Sequence, residues 1–271
     1  MQDFYRVIGN PVGHSKSPGI HAAFAAQSGI ALDYATCLAP LDGFAATVAQ
    51  LAAAGCKGAN VTVPFKIEAF NLCSRLSARA QAAGAVNTLR FDGVDIAGDN
   101  TDGAGLVADI VGNAGVAIAG ARVLLVGAGG AARGVVLPLL EHKPASLTLV
   151  NRTAATAHQV AASFDGAIAV CEFADLVDLT GPFDIVINAT SASLAGDVPP
   201  LPAAVFGATT LALDMMYGAE PTAFMAYAAR HGATVRDGLG MLVEQAAEAF
   251  YVWHCVRPAT GSVLAALRDA L

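Results

Sequence analysis

The stretch that most restricts the fold is 122-RVLLVGAGGAARG-134. An apolar run of strand length leads straight into Gly127, Gly129 and Gly130, and a helical pattern follows. Glycines there let the backbone turn tightly and approach a pyrophosphate, while the free N–H groups of the next helix face the anion. A plain tight βα turn is the alternative. A further strand pattern at 146–151 favours the dinucleotide-binding reading, because it completes a βαβ unit. The third glycine of the usual spacing is replaced by Ala132, which still permits close helix packing.

The second strand of that unit indicates which dinucleotide. An NAD site ends this strand with an acid for the ribose 2′-hydroxyl. Here it ends 150-VNRT-153, with no acid. Arg152 offers a planar guanidinium, and Asn151 and Thr153 offer hydrogen bonds, a set suited to a 2′-phosphate, so NADP is the expected cofactor. Asn151 and Thr153 also suit the cap of the next helix.

Strand and helix patterns alternate along the whole chain, which makes it an α/β protein. Strands are expected near 4–9, 32–38, 58–63, 85–91, 122–127, 146–151, 167–173, 184–189 and 211–216, with helices over 18–28, 42–54, 66–80, 103–114, 130–141, 153–163 and 239–256. The 271 residues leave room for two domains, and the boundary is expected within 103–120, ahead of the second βαβ unit.

Composition excludes several function classes. Hydrophobic residues make up 55% of the chain, yet no run is long enough to span a bilayer; Val123 to Ala132 is the best candidate and three glycines break it. Net charge is −7 with no basic run, which argues against a nucleic-acid partner. The five cysteines are scattered and never in CxxC spacing, and the histidines form no HxxxH pair. That argues for reduced thiols in a cytoplasm and against a zinc site. Asp3 and Arg6 follow the start at once, so no signal peptide is expected.

Three further stretches carry candidate chemistry. In 58-GANVTVPFK-66, Val61 and Val63 read as one face of a buried strand that Pro64 ends, leaving Lys66 at its mouth. A solvated lysine is the ordinary explanation of such a residue. In 9-GNPVGHSKSPGIH-21, Ser17-Pro18 reads as an N-cap and a proline at the first helical position, and Ser15 and Ser17 supply two hydroxyls. In 98-GDNTDG-103, the turn formers place Asp102 just before a helix. A calcium loop does not fit there, since the twelfth position from Asp99 is Ile110.

Taken together, 8-IGNPVGHSKSP-18, 58-GANVTVPFK-66, 84-GAVNT-88, 98-GDNTDG-103, 127-GAGGAARG-134, 150-VNRT-153, 187-INATS-191 and 237-DGLGMLVEQAAEAF-250 resemble the shikimate dehydrogenase family, over essentially the whole chain. The resemblance implies an NADP-dependent enzyme of aromatic amino acid biosynthesis that interconverts shikimate and 3-dehydroshikimate. It implies an N-terminal α/β substrate domain with a mostly parallel sheet at 1–103, with 239–271 packing back on it. A Rossmann-type NADP domain would occupy 104–238. A substrate cleft between the domains, a cytoplasmic location and a monomer or homodimer complete the implied picture.

Position by position, the resemblance makes Ser15 and Ser17 the holders of the substrate carboxylate. It makes Thr62, Asn87, Asp102 and Gln245 contacts to the ring hydroxyls or carboxylate, and Tyr217 a neighbour of the carboxylate. Lys66 becomes the catalytic lysine with Asp102 as its partner. Gly127, Ala128, Gly129, Gly130, Ala131, Asn151, Arg152, Thr153, Thr190, Gly238 and Met241 form the cofactor wall. One departure stands out: Ala219 occupies a position where many members have proline, two residues after Tyr217.

Oxidation of an alcohol needs a base for the hydroxyl proton as hydride leaves. The expectation is that Lys66 exchanges the proton while Asp102 orients lysine and hydroxyl. Three rivals are weighed against this. One is a quinate/shikimate relative with relaxed substrate or cofactor choice. A folate-pathway methylene dehydrogenase would want a tyrosine four residues before the lysine, where Thr62 stands. A non-catalytic sensor of shikimate-like acids has no use for both Lys66 and Asp102.

Overall fold

A computed structural model describes residues 3–93, 95–164, 168–179 and 181–271. The chain divides into two compact units, 1–105 with 243–266 and 106–242 with 267–271.

The first unit is built on six strands: β1 (Asp3–Gly9), β2 (Leu32–Leu38), β3 (Gly58–Val61), β4 (Arg75–Leu76), β5 (Thr88–Asp92) and β6 (Asp95–Asp99), in the order β2-β1-β3-β5-β6-β4. Its helices are α1 (Ser17–Ser28), α2 (Phe44–Ala53), α3 (Lys66–Leu72) and α4 (Ala78–Ala83). β1 pairs in parallel with β2 and β3, whereas β5 runs antiparallel to both β3 and β6. The hairpin β5–β6 turns at Asp92-Gly93, where Gly93 has φ +68°, a conformation glycine adopts at no steric cost. Ile8, Phe44, Ala59, Val61, Phe65, Val86 and Leu89 fill the core, and the Phe44 and Phe65 rings stack with centroids 4.8 Å apart.

Several expectations are corrected here. The continuous helix over 66–80 is two helices separated by β4. Cys73 leaves the helical region at ψ 131°, β4 pairs with β6, and Ser77 then caps α4 by accepting the Ala80 N–H at 3.2 Å. The strand expected to Val63 stops at Val61. Val61 is buried but Val63 is 63% exposed, because the chain has already left the sheet at Thr62. The strand expected over 85–91 begins only at Thr88, and β6 was not foreseen.

The second unit contains β7 (Arg122–Val126), α6 (Gly130–Glu141), β8 (Ser146–Val150), α7 (Ala154–Ala161), β9 (Ile168–Cys171), β10 (Ile185–Asn188), β11 (Leu211–Asp214), α8 (Ala223–Arg230) and β12 (Thr234–Arg236). It also holds the C-terminal part of α5 (Asp102–Ala108) and the N-terminal part of α9 (Leu239–His254). A last helix, α10 (Gly261–Asp269), ends the chain. Of the strand expected over 167–173, residue 167 lies outside the described residues.

All six strands of the second unit are parallel, in the order β12-β11-β10-β7-β8-β9. This is the doubly wound order, and it reverses between β7 and β10. Helices cover both faces, so the strands read as unbroken apolar runs. Val123, Leu125, Ile185 and Ile187 enter one core, and Leu124, Val126 and Val186 enter the other.

The helix expected over 103–114 begins at Asp102 and widens at Asp109–Asn113 into a π turn. The fully buried Asp109 carboxylate lies there, gripped by Arg236 at 2.6 and 2.5 Å. Gly240 makes room for it, since a Cβ at that position would overlap the carboxylate.

Candidate active site

In the first unit the turn after β3 is held from inside. Phe65 is fully buried, and its N–H donates to the Thr62 carbonyl at 3.1 Å. Lys66 follows as the first residue of α3, and Asp102 is the first residue of α5. The Lys66 ammonium donates to Asp102 Oδ2 at 2.6 Å. Asn87 Nδ2 donates to the other carboxylate oxygen at 2.8 Å, so Asp102 is pinned on both sides. The same amide nitrogen reaches Gln245 Oε1 at 3.3 Å. Gly105 lets α9 come this close, since a Cβ there would sit 2.6 Å from the Gln245 Cβ. Lys66, Asp102, Asn87 and Gln245 thus form one hydrogen-bonded group.

Asp99 braces the loop that carries Asp102. Arg79 grips it with two bonds of 2.7 Å and reaches Glu248 at 2.8 Å. Burial alone would raise the Asp99 carboxyl, but the Arg79 hydrogen bonds and charge prevail and hold it below the usual carboxylate range.

Ser17 corrects a further expectation. It is the first residue of α1, the N-cap position belongs to Lys16, and no side chain caps the helix. The Ser17 hydroxyl is therefore not spent on capping. The Ser17 N–H donates to Ser15 Oγ at 3.3 Å. Thr62 is half-buried against Gly9, where a Cβ would leave it no room.

In the second unit the glycines lie at the switch point of the sheet, where open α/β sheets bind ligands. Gly127 follows β7 with φ +110°, and a Cβ there would press on Thr190 Cγ2 at 3.1 Å and on the Ala189 carbonyl at 3.2 Å. Ala128 is buried beneath it. Gly129, Gly130 and Ala131 are exposed at the start of α6, and nothing stands where Cβ atoms of the two glycines would project. The open N-terminus of α6 therefore suits a pyrophosphate. Arg133 in the first turn of α6 has its Nε buried with no hydrogen-bond partner among the described residues, a donor suited to an anion that the sequence reading passed over.

Beside the glycines lies a cavity of about 470 Å³ whose lining includes Asn151, Arg152, Thr190, Phe173 and Asp197. Thr153 occupies the N-cap position of α7 but makes no side-chain cap bond, while Asn151 Nδ2 steadies the turn by donating to the Thr153 carbonyl at 3.0 Å. No hydrogen bond or ion pair to the Arg152 guanidinium occurs among the described residues. Cavity, unengaged guanidinium and flanking hydrogen-bonding groups fit a 2′-phosphorylated dinucleotide. Gly238 packs against the Met215 carbonyl with no space for a Cβ, and Met241 lies in the core near Met215. Tyr217 is 38% exposed after β11, and burial, then the charge of Asp237, raises its phenol.

The sequence reading did not single out Asn60, Thr88 and Thr101 as site residues. All three are buried polar side chains in contact with Asn87. Asn60 and Thr88 face each other across the β3–β5 ladder, a pairing visible only once that ladder is known to be antiparallel.

Known proteins match this chain along its length. Residues 7–89 match a family model described as the shikimate dehydrogenase substrate binding domain. Residues 108–195 match that for shikimate / quinate 5-dehydrogenase, and 238–268 that for the shikimate 5′-dehydrogenase C-terminal domain. A protein of Herminiimonas arsenicoxydans named shikimate dehydrogenase (NADP(+)) is 63% identical, covering 100% of this chain and 99% of its own. The crystal structure of an Ael1 enzyme from Pseudomonas putida superposes with a TM-score of 0.95 at 46% identity, covering 98% of both chains. That of shikimate 5-dehydrogenase from Thermus thermophilus, in complex with NADP(H) and shikimate, gives 0.88 at 30% identity over 100% of both.

Proposed function

The chain belongs to the shikimate dehydrogenase family, and from that premise we propose which of its residues carry the reaction, the reversible NADPH-dependent reduction of 3-dehydroshikimate to shikimate. The enzyme is an NADP-dependent oxidoreductase acting on a CH–OH group. In this reading the first unit is the substrate-binding domain and the second the NADP domain. Gly127, Ala128, Gly129, Gly130 and Ala131 cradle the pyrophosphate. Asn151, Arg152 and Thr153 take the 2′-phosphate, and Thr190, Gly238 and Met241 complete the wall. When bound, NADPH would supply a hydride from C4 of its nicotinamide to the carbonyl carbon of the substrate ring, and NADP⁺ would accept it in the reverse direction.

The chain's own residues supply the rest. Ser15 and Ser17 each have an O–H to donate to the substrate carboxylate. Thr62, Asn87, Asp102 and Gln245 hold the ring hydroxyls or the carboxylate. In the reducing direction Lys66 gives a proton from Nζ to the carbonyl oxygen as the carbon takes hydride, and the oxygen becomes the C–OH of shikimate. In reverse the neutral amine takes that hydroxyl proton. Only one of the three ammonium protons is engaged with Asp102, and the Lys66 side chain is 32% exposed, so the amine can exchange its proton with water. Asp102 keeps Nζ in place. The 2.6 Å contact between Lys66 and an aspartate already fixed by Asn87 carries this reading. All five cysteines are free thiols, which supports a reducing, cytoplasmic setting.

The test is NADPH absorbance with shikimate and quinate, each offered with NADP and NAD. Fast turnover of shikimate with NADP alone is expected. Comparable turnover of quinate, or preference for NAD, contradicts the substrate and cofactor assignments. Shikimate binding without turnover contradicts catalysis.

A further inference from the structure

The Lys66–Asp102 pair is one end of a hydrogen-bond chain that runs back into the sheet of the first unit. At the far end, Tyr34 Oη donates to Asn60 Oδ1 at 2.7 Å. Asn60 Nδ2 donates to the Asn87 carbonyl and to Thr88 Oγ1, each at 3.2 Å. The Thr88 hydroxyl sends its single proton to Asn87 Oδ1 at 2.8 Å. The Thr101 N–H donates to the same oxygen, also at 2.8 Å. Asn87 Nδ2 then faces Asp102 Oδ1, and Asp102 Oδ2 faces Lys66.

Each link has one direction. A hydroxyl carries one proton, and Asn60 fills an acceptor site of Thr88, so that proton is free to go to Asn87. With two donors aimed at its oxygen, the Asn87 amide has its N–H groups towards the carboxylate. A flip would set N–H against N–H on one side and oxygen against carboxylate on the other. Asn60, Asn87, Thr88 and Thr101 are 7%, 3%, 1% and 0% exposed, so little water is at hand to replace a missing partner.

We propose that Thr88 is a positioning residue. Its hydroxyl fixes the orientation of Asn87, which fixes Asp102 and through it the Lys66 ammonium. The proposal rests on Lys66 and Asp102 being the reacting pair.

Thr88→Val keeps the shape and removes the hydroxyl. It takes one acceptor from Asn60 Nδ2 and one donor from Asn87 Oδ1, and each of those atoms keeps its other partner, the Asn87 carbonyl and the Thr101 N–H. Thr88→Ser keeps the hydroxyl and removes a packed methyl. Loss of one buried neutral hydrogen bond predicts a kcat for shikimate about fivefold to tenfold lower in Thr88→Val. The KM for NADP should stay within about twofold, because its residues belong to the other unit. Thr88→Ser should recover most of the rate even where it melts lower. A Thr88→Val enzyme at the wild-type rate, a serine variant as slow as the valine one, or a kcat that follows melting temperature across the three would overturn the proposal. If the wild type itself fails to oxidise shikimate with NADP, the functional reading is what fails. Thr88 is then judged by the Asn87 side-chain amide resonances of the free protein. They should move in Thr88→Val and return in Thr88→Ser, and resonances unmoved in both would overturn the proposal.

Discussion

Arg152→Ala should convert an NADP enzyme into one that hardly distinguishes NADP from NAD. The guanidinium lines the cavity beside the glycine loop and engages no carboxylate among the described residues. Its removal therefore breaks no internal ion pair, and the fold should be unaffected. A hydrogen bond to a charged group contributes about 1.5–3 kcal/mol. Arg152 is exposed, so solvent and salt place its contact with a 2′-phosphate at the low end, about 1.5–2 kcal/mol, or roughly tenfold to thirtyfold in affinity. Initial rates at saturating shikimate, with NADP and NAD varied separately, read this directly. The KM for NADP should rise by that factor while kcat and the KM for NAD stay within about twofold. The difference between wild type and variant should also shrink as ionic strength rises and the screening length falls below about 10 Å. Equal loss with both cofactors would refute the reasoning, because Arg152 would then not be reading the 2′-phosphate. An unchanged KM for NADP would refute it too.

Gly127→Ala must hold φ +110° with a methyl pressed on Thr190 and the Ala189 carbonyl. It should lose about 1–2 kcal/mol of stability and weaken NADP and NAD alike, measured by melting and by cofactor titration. Arg79→Met strips one partner from both Asp99 and Glu248 and should cost about 2–4 kcal/mol in denaturant unfolding, below a fully buried pair because Arg79 is 23% exposed. Asp99 titrates below its unfolded value, so its contribution is full above the unfolded pKa and lost as pH falls through the folded one. In the variant, acid unfolding should begin at higher pH. His21 is fully buried, stacked on Tyr34 at 4.3 Å, with neither ring nitrogen hydrogen-bonded among the described residues. Burial pushes its imidazole from 6.5 down to about 3, against a smaller opposing pull from Asn60. Between those values the unfolded chain binds the extra proton, so stability rises with pH and is lost on acidification by about 1.4 kcal/mol per unit. His21→Phe should remove that slope with no loss at neutral pH, and equal slopes in both proteins would show that other groups set it.

How much was legible in the sequence follows the range of the interactions. The glycine loop after β7 was readable because strand, glycines and helix are contiguous, and the approach of Gly127 to Thr190 gives the glycine its physical reason. Lys66 and Asp102 were readable as loop residues next to helix starts, although their 2.6 Å contact joins positions 36 residues apart. Local signals were also missed. Asp92-Gly93 is a hairpin turn signal that would have given β6, and Ser77 is a capping residue that would have split the helix over 66–80. The π turn at Asp109–Asn113 could not be read, and the buried Asp109 within it is held by Arg236, 127 residues away. The same holds for Asn60 and Thr88, which became neighbours only through an antiparallel register inside a sheet expected to be mostly parallel.

The central claim is that Lys66 moves the proton while its neighbours bind and orient. The most direct measurement is kcat and shikimate Kd for Lys66→Ala, with melting temperature as a check on folding. Removing a general acid–base group predicts a kcat lower by about 10²–10⁴-fold with shikimate Kd within about threefold. A kcat near the wild-type value with a large rise in Kd would contradict it, and would make Lys66 a binding residue.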